Sequence, residues 1–445
     1  MSEHDGKQVA TPRPSTEDAE AWKAYWQAQG QPWRTQPEID TERQEELKRC
    51  LATETDIEKG KYPFKDVKLS RAEIEWLLAA HESGGIRGPV DCSDERQRMR
   101  KGLDLRGAHL QEEDLSGLPL ARIRCGLALN ELFRRTGEQI EMAAVHVQKA
   151  NLRGANVQEA DLSNANVQKA SLREANVQKA SLRGANLQEA TLFGANVQEA
   201  DLTRAQLKGA NLERVTLSNE KQVGPGFVDC QWSDVNLAVI EWSQVRLLGD
   251  ESVARQKRDS EGKTKEKQTK LSEYKKAVRA NRQLAVALEG QGLNEEAARF
   301  AYRAQTLQKS VLWYQMTQSE SSSYPTQQRV TFGQRMQALG GWLFSWFLFL
   351  LAGYGYKPIR SVMAYLIIIF GFMCLYLLNA HFIAPHLTWH EALVLSVSSF
   401  HGRGFFTQNV TLGDTYARLA SIEAVVGLFI EISFIATFTQ RFFGK

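Results

Sequence analysis

At 445 residues the chain exceeds one ordinary hydrophobic core, so two or more domains are expected. A net charge of +3 gives no overall pull toward nucleic acid, and five scattered cysteines without a CxxC pair argue against a disulfide or zinc framework. The start of the chain, MSEHDGKQVATPRPSTEDAEAW, lacks the apolar core of a signal peptide, so the bulk of the chain is expected on the side where it is made.

Residues 1–19 are polar and contain proline, which predicts a disordered tail. Residues 20–102 form a cap region. Trp22, Trp26 and Trp33 fall close together there; we read them as rings that dock this arm onto the neighbouring solenoid, in preference to an aromatic clamp for a partner. Ser70 and Glu73 form a capping-box pattern ahead of Ile74, Trp76, Leu77 and Leu78, which predicts a short amphipathic helix.

From residue 103 to 249 the dominant signal is an apolar pulse at every fifth position. Ala recurs at this step from Ala150 to Ala210, with Leu or Val two places later. Such a pulse fits neither a helix at 3.6 nor a strand at 2.0 residues per repeat, so the backbone must turn a corner about every five residues. A stretch at about 128–142 interrupts the pulse with a helical pattern (Leu129, Leu132, Phe133, Ile140), and the repeat restarts in a new frame at Val145 and Val147. A loop at about 218–228 leaves the frame intact, as a tolerated insertion in a solenoid should. Residues 101–250 hold 17 basic and 19 acidic side chains, too balanced for an acidic rod that mimics DNA.

Residues 250–273 form a charged linker, read as solvated in preference to a lipid contact. Two amphipathic helices are expected over 274–316, separated near Gly290 and Gly292, the second carrying Ala297, Phe300, Ala304, Leu307 and Val311 on one stripe. This hairpin cannot bury its own face and must pack on something else. Residues 317–356 are read as a linker plus an interfacial helix over 342–352.

The back of the chain carries membrane-length segments. Residues 361–382 hold no charge, and within a second span over 416–440 the stretch from Leu419 to Phe438 is interrupted only by Glu423 and Glu431. Between them, Thr388 and Glu391 cap a helix over 389–399 that is too short to cross, succeeded by FHGRGFF at 400–406, read as extended backbone returning from membrane depth. Lys357 and Arg360 precede the first span while Arg441 and Lys445 come after the second, so both termini and the repeat tract are expected in the cytoplasm of a multi-pass plasma-membrane protein.

The units ANLRG, ADLSN and ANLQE resemble those of the pentapeptide-repeat family, A-(D/N)-L-x-x. That resemblance implies a right-handed quadrilateral β-helix, four repeats to a coil, with Ala and the central Leu pointing inward. Helix, short helix, Gly-x-Gly tract, helix, over about 357–444, resembles the two-transmembrane potassium-channel-like pore module. On that likeness Gly402 and Gly404 match the two glycines of the T-V-G-Y-G filter, and Gly427 the inner-helix hinge. The filter differs: Phe400, His401 and Arg403 replace Thr, Val and Tyr, and Phe405 replaces the Asp, so potassium selectivity is not carried over. Arg403 either faces a lumen and draws anions or folds back onto a carboxylate, with Glu423 as the candidate partner; Glu431 would lie deeper, in an inner cavity. His401 is read as a hydrogen-bonded structural residue in preference to a titrating gate.

The fold class expected is therefore a multidomain β + α membrane protein: a repeat β-helix, a helical hairpin and a two-transmembrane pore domain with a re-entrant helix. The function expected is an ion channel, homotetrameric, with the rod sensing a cytoplasmic ligand or protein or setting assembly. The alternative is a membrane-anchored scaffold without conduction. The partners expected are the lipid bilayer, permeant ions and further copies of the chain, without nucleic acid. No nucleophile–base pair, metal-ligand spacing or phosphate-binding loop is found, so neither an enzyme nor a metal or cofactor is expected.

Overall fold

The computed structural model describes residues 13–14, 18–132, 135–259, 262–317, 332–383, 387–403 and 415–442. It divides into two compact units, Met1–Thr264 with Lys276–Ala297, and Lys265–Lys275 with Ala298–Lys445.

The first unit opens with α1 (Ala19–Ala28), α2 (Thr41–Leu51) and α3 (Arg71–Ala80), each started by a side-chain cap at Asp18, Asp40 and Ser70. Trp22 and Trp26 are buried and stack at 5.8 Å within the arm, while Trp33 is half-buried. Their arm is tied to α3 through Glu75, a fully buried carboxylate that accepts from the Thr35 and Gln36 N–H groups at 2.9 Å each and from Arg71 Nε at 2.9 Å. Arg71 in turn donates to the Asp114 and Ser116 carbonyls at 2.8 and 3.1 Å, fastening the cap to the first coil. Lys68 adds a parallel bridge to His109 on that coil. A small antiparallel hairpin, β1 (Glu82–Ser83) with β2 (Ile86–Arg87), completes the cap.

The repeat tract is a stack of parallel bridges. Asn151 pairs with Ser171 and Ser171 with Thr191, so one coil takes 20 residues, or four repeats. Every Ala and Leu or Val of the pulse from Ala150 to Leu212 is 6% exposed or less. The corner falls one residue before the alanine: positions such as Glu159 (φ +55°) and Lys169 (φ +59°) adopt the left-handed conformation. The Leu152 carbonyl accepts the Ala155 N–H at 3.0 Å and closes the turn. The recurring Asn or Asp acts here too, since Asn151 Oδ1 accepts from the Arg153 N–H at 3.1 Å, and Asn156, Asp161, Asn176 and Asn186 repeat the bond. Both breaks in the pulse now have a measured size. Asp114 pairs with Asn151, 37 residues on, so 37 − 20 = 17 residues are inserted, which is no multiple of five and resets the frame. Asp201 pairs with Gly226, 25 residues on, so 25 − 20 = 5 residues are inserted, one whole repeat, and the frame survives.

The first insertion is less helical than expected. Among the described residues only α4 (Gly137–Ala143) forms there, because the Thr136–Gln139 capping box starts the helix; Leu129 is exposed and Phe133 lies outside the described residues. At the other end Phe227, Trp232 and Trp242 meet edge-on at 4.9–6.5 Å over the last coils. The expected linker at 250–273 contains α5 (Gly249–Arg255) and the start of α6 (Lys267–Glu289). From Lys276 onward α6 belongs to the first unit; its Gln283 side chain, and that of Gln291 in the turn after it, accept the Asp229 and Leu237 N–H groups at 2.9 and 2.8 Å. Amides that a further coil would have paired are thereby satisfied, which is what a solenoid end needs.

The second unit takes in α7 (Asn294–Met316) from Ala298 onward, α8 (Phe332–Ala352), α9 (Pro358–Ile383), α10 (Trp389–Phe400) and α11 (Thr415–Phe442). The helix expected over 342–352 is twice as long, because it continues back through the Gly340–Gly341 pair to Phe332 with no proline to stop it. On α7, Lys309 Nζ lies 3.5 Å from the Phe349 ring centroid and Trp313 meets Trp342 at 5.7 Å. Leu351, Ile369, Phe400 and Ile430 form the buried core where α8 to α11 converge.

Candidate pore module

Two stretches are long and apolar enough to cross a membrane, Ile359–Asn379 in α9 and Thr415–Ala436 in α11. Many of their apolar side chains face outward, among them Val362, Leu366, Phe370, Val425, Phe429 and Ile432. The short α10 starts at the predicted box, where Thr388 Oγ1 and Glu391 cap one another. At 12 residues it is about 18 Å long, too short to cross.

Its far end meets the middle of both long helices. Ser396 Oγ lies 2.9 Å from the carbonyl oxygen of Ile369, the eleventh of the 21 residues of Ile359–Asn379. Gly427, the thirteenth of the 22 residues of Thr415–Ala436, is placed so that a Cβ would collide with the Phe400 carbonyl. The helix α11 runs unbroken through Gly427, and a glycine there permits the close approach of α10.

Glu423 is fully buried and held by neighbours that the sequence did not single out. Tyr376 Oη donates to its Oε2 at 2.7 Å, and Ser396 Oγ lies against Oε1. Arg403 is therefore not its partner, and the Arg403 side chain is exposed. The physical reason is reach: α10 delivers a serine to Glu423, while Arg403 lies beyond the helix end. Tyr376 and Ser396 are not the lone polar residues of their helices, which also carry Tyr365 and Asn379 in α9 and Ser398 and Ser399 in α10, so the sequence held no signal that singled them out.

Helix α10 ends in a Schellman turn. The Gly402 N–H donates to the Ser399 carbonyl at 2.9 Å, the Arg403 N–H to the Ser398 carbonyl at 2.8 Å, and Gly402 has φ +70°. Phe400 to Gly402 thus form a helix end rather than the extended backbone expected. Phe400 is buried against Tyr365 at 4.7 Å. His401 Nδ1 lies 2.8 Å from the Val397 carbonyl oxygen, and Nε2 lies 3.4 Å from Glu431 Oε1. The approach of His401 to Glu431 is an arrangement the sequence did not suggest. Gly404 and Phe405 lie outside the described residues.

The repeat tract matches the model of the pentapeptide repeats at residues 150–188 and 180–219. The chain contains pentapeptide repeats. Similar solved structures include a pentapeptide repeat protein, Rfr23, from the cyanobacterium Cyanothece 51142, 26% identical over 30% of this chain and 86% of its own, with a TM-score of 0.23. HetL from Nostoc sp. strain PCC 7120, a pentapeptide repeat protein involved in heterocyst differentiation regulation, is 26% identical over 30% of this chain and 52% of its own, with a TM-score of 0.17. The pentapeptide repeat protein alr5209 from Nostoc PCC 7120 is 30% identical over 21% of this chain and 64% of its own, with a TM-score of 0.16. This chain thus spans about half of HetL and just under two thirds of alr5209. No curated protein matches the chain significantly.

Proposed function

We propose that the chain is a homo-oligomeric ion channel, four copies around one axis, with α10 and the segment after it lining the conduit and the pentapeptide-repeat region sensing a ligand or partner or setting assembly. One observation carries this reading: the C-terminus of α10 reaches the midpoints of both candidate spans, at Ile369 and Gly427. A chain that turns at that depth needs protein or water around its peptide groups.

The residues at this turn favour water. His401, Gly402 and Arg403 are exposed on the single chain. An arginine facing hydrocarbon at the bilayer centre costs about 2.5–3.5 kcal/mol on insertion scales. A shared aqueous axis removes that cost, and the outward apolar faces of α9 and α11 supply contacts for lipid and neighbouring subunits. In this reading both termini are cytoplasmic.

Reconstitution into planar bilayers under asymmetric salt tests the reading. We expect current from the intact protein and a shift of reversal potential toward cations in Arg403→Gln. An unchanged reversal potential would remove Arg403 from the lumen. Absence of any current would leave a membrane-anchored scaffold.

A further inference from the structure

Three cations that are far apart in the sequence gather around aromatic rings in the second unit. Lys309 Nζ, on α7, lies 3.5 Å from the Phe349 ring centroid and 4.2 Å from that of Trp346. The Arg360 guanidinium, in the first turn of α9, lies 4.7 Å from the same Phe349 ring, and its Nη1 donates to the Phe349 carbonyl at 3.0 Å. Lys357 Nζ, just ahead of α9, lies 4.9 Å from the ring of Tyr302, which precedes Lys309 on α7 by about two turns. We propose that Lys309, Lys357 and Arg360 form a binding site for the headgroup of an anionic phospholipid. The inference rests on α9 crossing the membrane, as in the reading above.

The charge of this cluster is not offset. From residue 297 to 383 the sequence holds seven Lys and Arg against one carboxylate, Glu320. Among the described residues the side-chain partners of the three cations are aromatic rings and one carbonyl, never a carboxylate. Burial first, and then the charge of Arg360, pushes the Lys309 ammonium below its ordinary range. A ring face orients a cation without neutralising it, so N–H groups remain for an anion.

Position decides which anion. Arg360 is the second residue of the candidate span Ile359–Asn379, so the cluster stands where α9 enters the hydrocarbon. Beside it Leu343, Trp346, Phe347 and Leu350 form an exposed apolar stripe at helical spacing along α8. Lys309 borders that stripe at Trp346. Cations next to an open apolar surface suit a molecule with a phosphate head and acyl chains, whereas free phosphate would use only the cations. The tryptophans and tyrosines fit the same level, since their amphipathic rings favour the headgroup region.

Tryptophan quenching by brominated lipid tests this. The full-length protein is reconstituted in phosphatidylcholine vesicles carrying a rising share of phosphatidylglycerol brominated on its acyl chains, with brominated phosphatidylcholine as the reference. Trp346, beside Lys309, reports occupancy. We expect phosphatidylglycerol to bind about tenfold or more tightly than phosphatidylcholine. Lys309→Gln and Lys357→Gln should each weaken that preference about fivefold, while Lys208→Gln, on the repeats, leaves it unchanged. Equal binding of the two lipids would overturn the proposal, as would a preference unaltered in both variants or lowered equally by Lys208→Gln. Displacement of the lipid by inorganic phosphate, beyond that by chloride at equal ionic strength, would give the site to a free anion and overturn it too. Loss of the protein from both kinds of vesicle in an alkaline wash would instead sink the spanning reading of α9, and the site with it.

Discussion

The repeat region and the long apolar helices bury apolar surface in opposite ways. In the repeats each Ala and Leu or Val points into a closed core, and peptide groups pair with the coils before and after. The ends are finished by Arg71 and α3 on one side and by Gln283 and Gln291 on the other. That region is complete as a single chain. The apolar helices satisfy their own backbones but enclose a small core, and whole faces of α9 and α11 remain outward. They are complete only with something around them. The difference locates two kinds of fragility: the repeats should fail at single inward atoms, and the helical unit at its few polar or close-packed clasps.

The largest expected effect is in the repeats. Ala180 is fully buried and its carbonyl accepts the Asp201 N–H at 2.9 Å. Ala180→Glu places a charge where it has neither room nor partner, a loss of roughly 5 kcal/mol or more. Limited proteolysis of the full-length protein should then cut the repeats while fragments containing α9 and α11 stay protected. Protection of both would break the comparison.

Next comes a pH effect confined to the repeat end. Asp250 accepts the Phe227 N–H at 2.7 Å, yet burial, with Asp201 nearby, raises its carboxyl from the ordinary 3.8 to about 6. The folded state thus holds this proton more tightly than the unfolded chain does. Its contribution to stability is greatest below about pH 4 and is lost as pH rises through 6, by up to about 3 kcal/mol. Asp250→Asn should flatten that slope and raise stability at pH 7. An unaltered slope in the melting of the repeat region would refute the assignment.

The two regions were not equally legible in the sequence. Periodicity exposed the repeats, since every unit solves the same packing problem and an error in one is corrected by its neighbours. The capping boxes at Ser70, Thr136 and Thr388 are local patterns; those at Ser70 and Thr388 could be read directly. The roles of Gln283 and Gln291 could not be, because they depend on which amides the last coil leaves open. The clasp of Tyr376, Ser396 and Glu423 joins three helices, and nothing in the chain order brings those residues together. Glu423 invited pairing with Arg403 on charge alone. Geometry chose two hydroxyls instead.

Within the helical unit, Gly427→Ala sharpens the comparison. The added methyl meets the Phe400 carbonyl, so α10 must shift, at a cost of about 1–3 kcal/mol. Gly371→Ala in α9 is the matched control, because its Cβ would meet nothing within 4 Å. Thermal unfolding in detergent should fall for the first and hold or rise for the second. Equal effects would mean that helix propensity, not close approach, governs Gly427.

The smallest effect separates two uses of Gly402. Its φ of +70° makes Gly402→Ala cost about 1–2 kcal/mol whichever use holds. Asn tolerates the left-handed conformation and can still close a Schellman turn, so Gly402→Asn should recover most of that loss. A filter position would need more, because a side chain at the axis would crowd the conduit. Conduction retained in Gly402→Asn assigns the glycine to the end of α10. Normal stability with conduction abolished would instead place residue 402 at the pore surface itself.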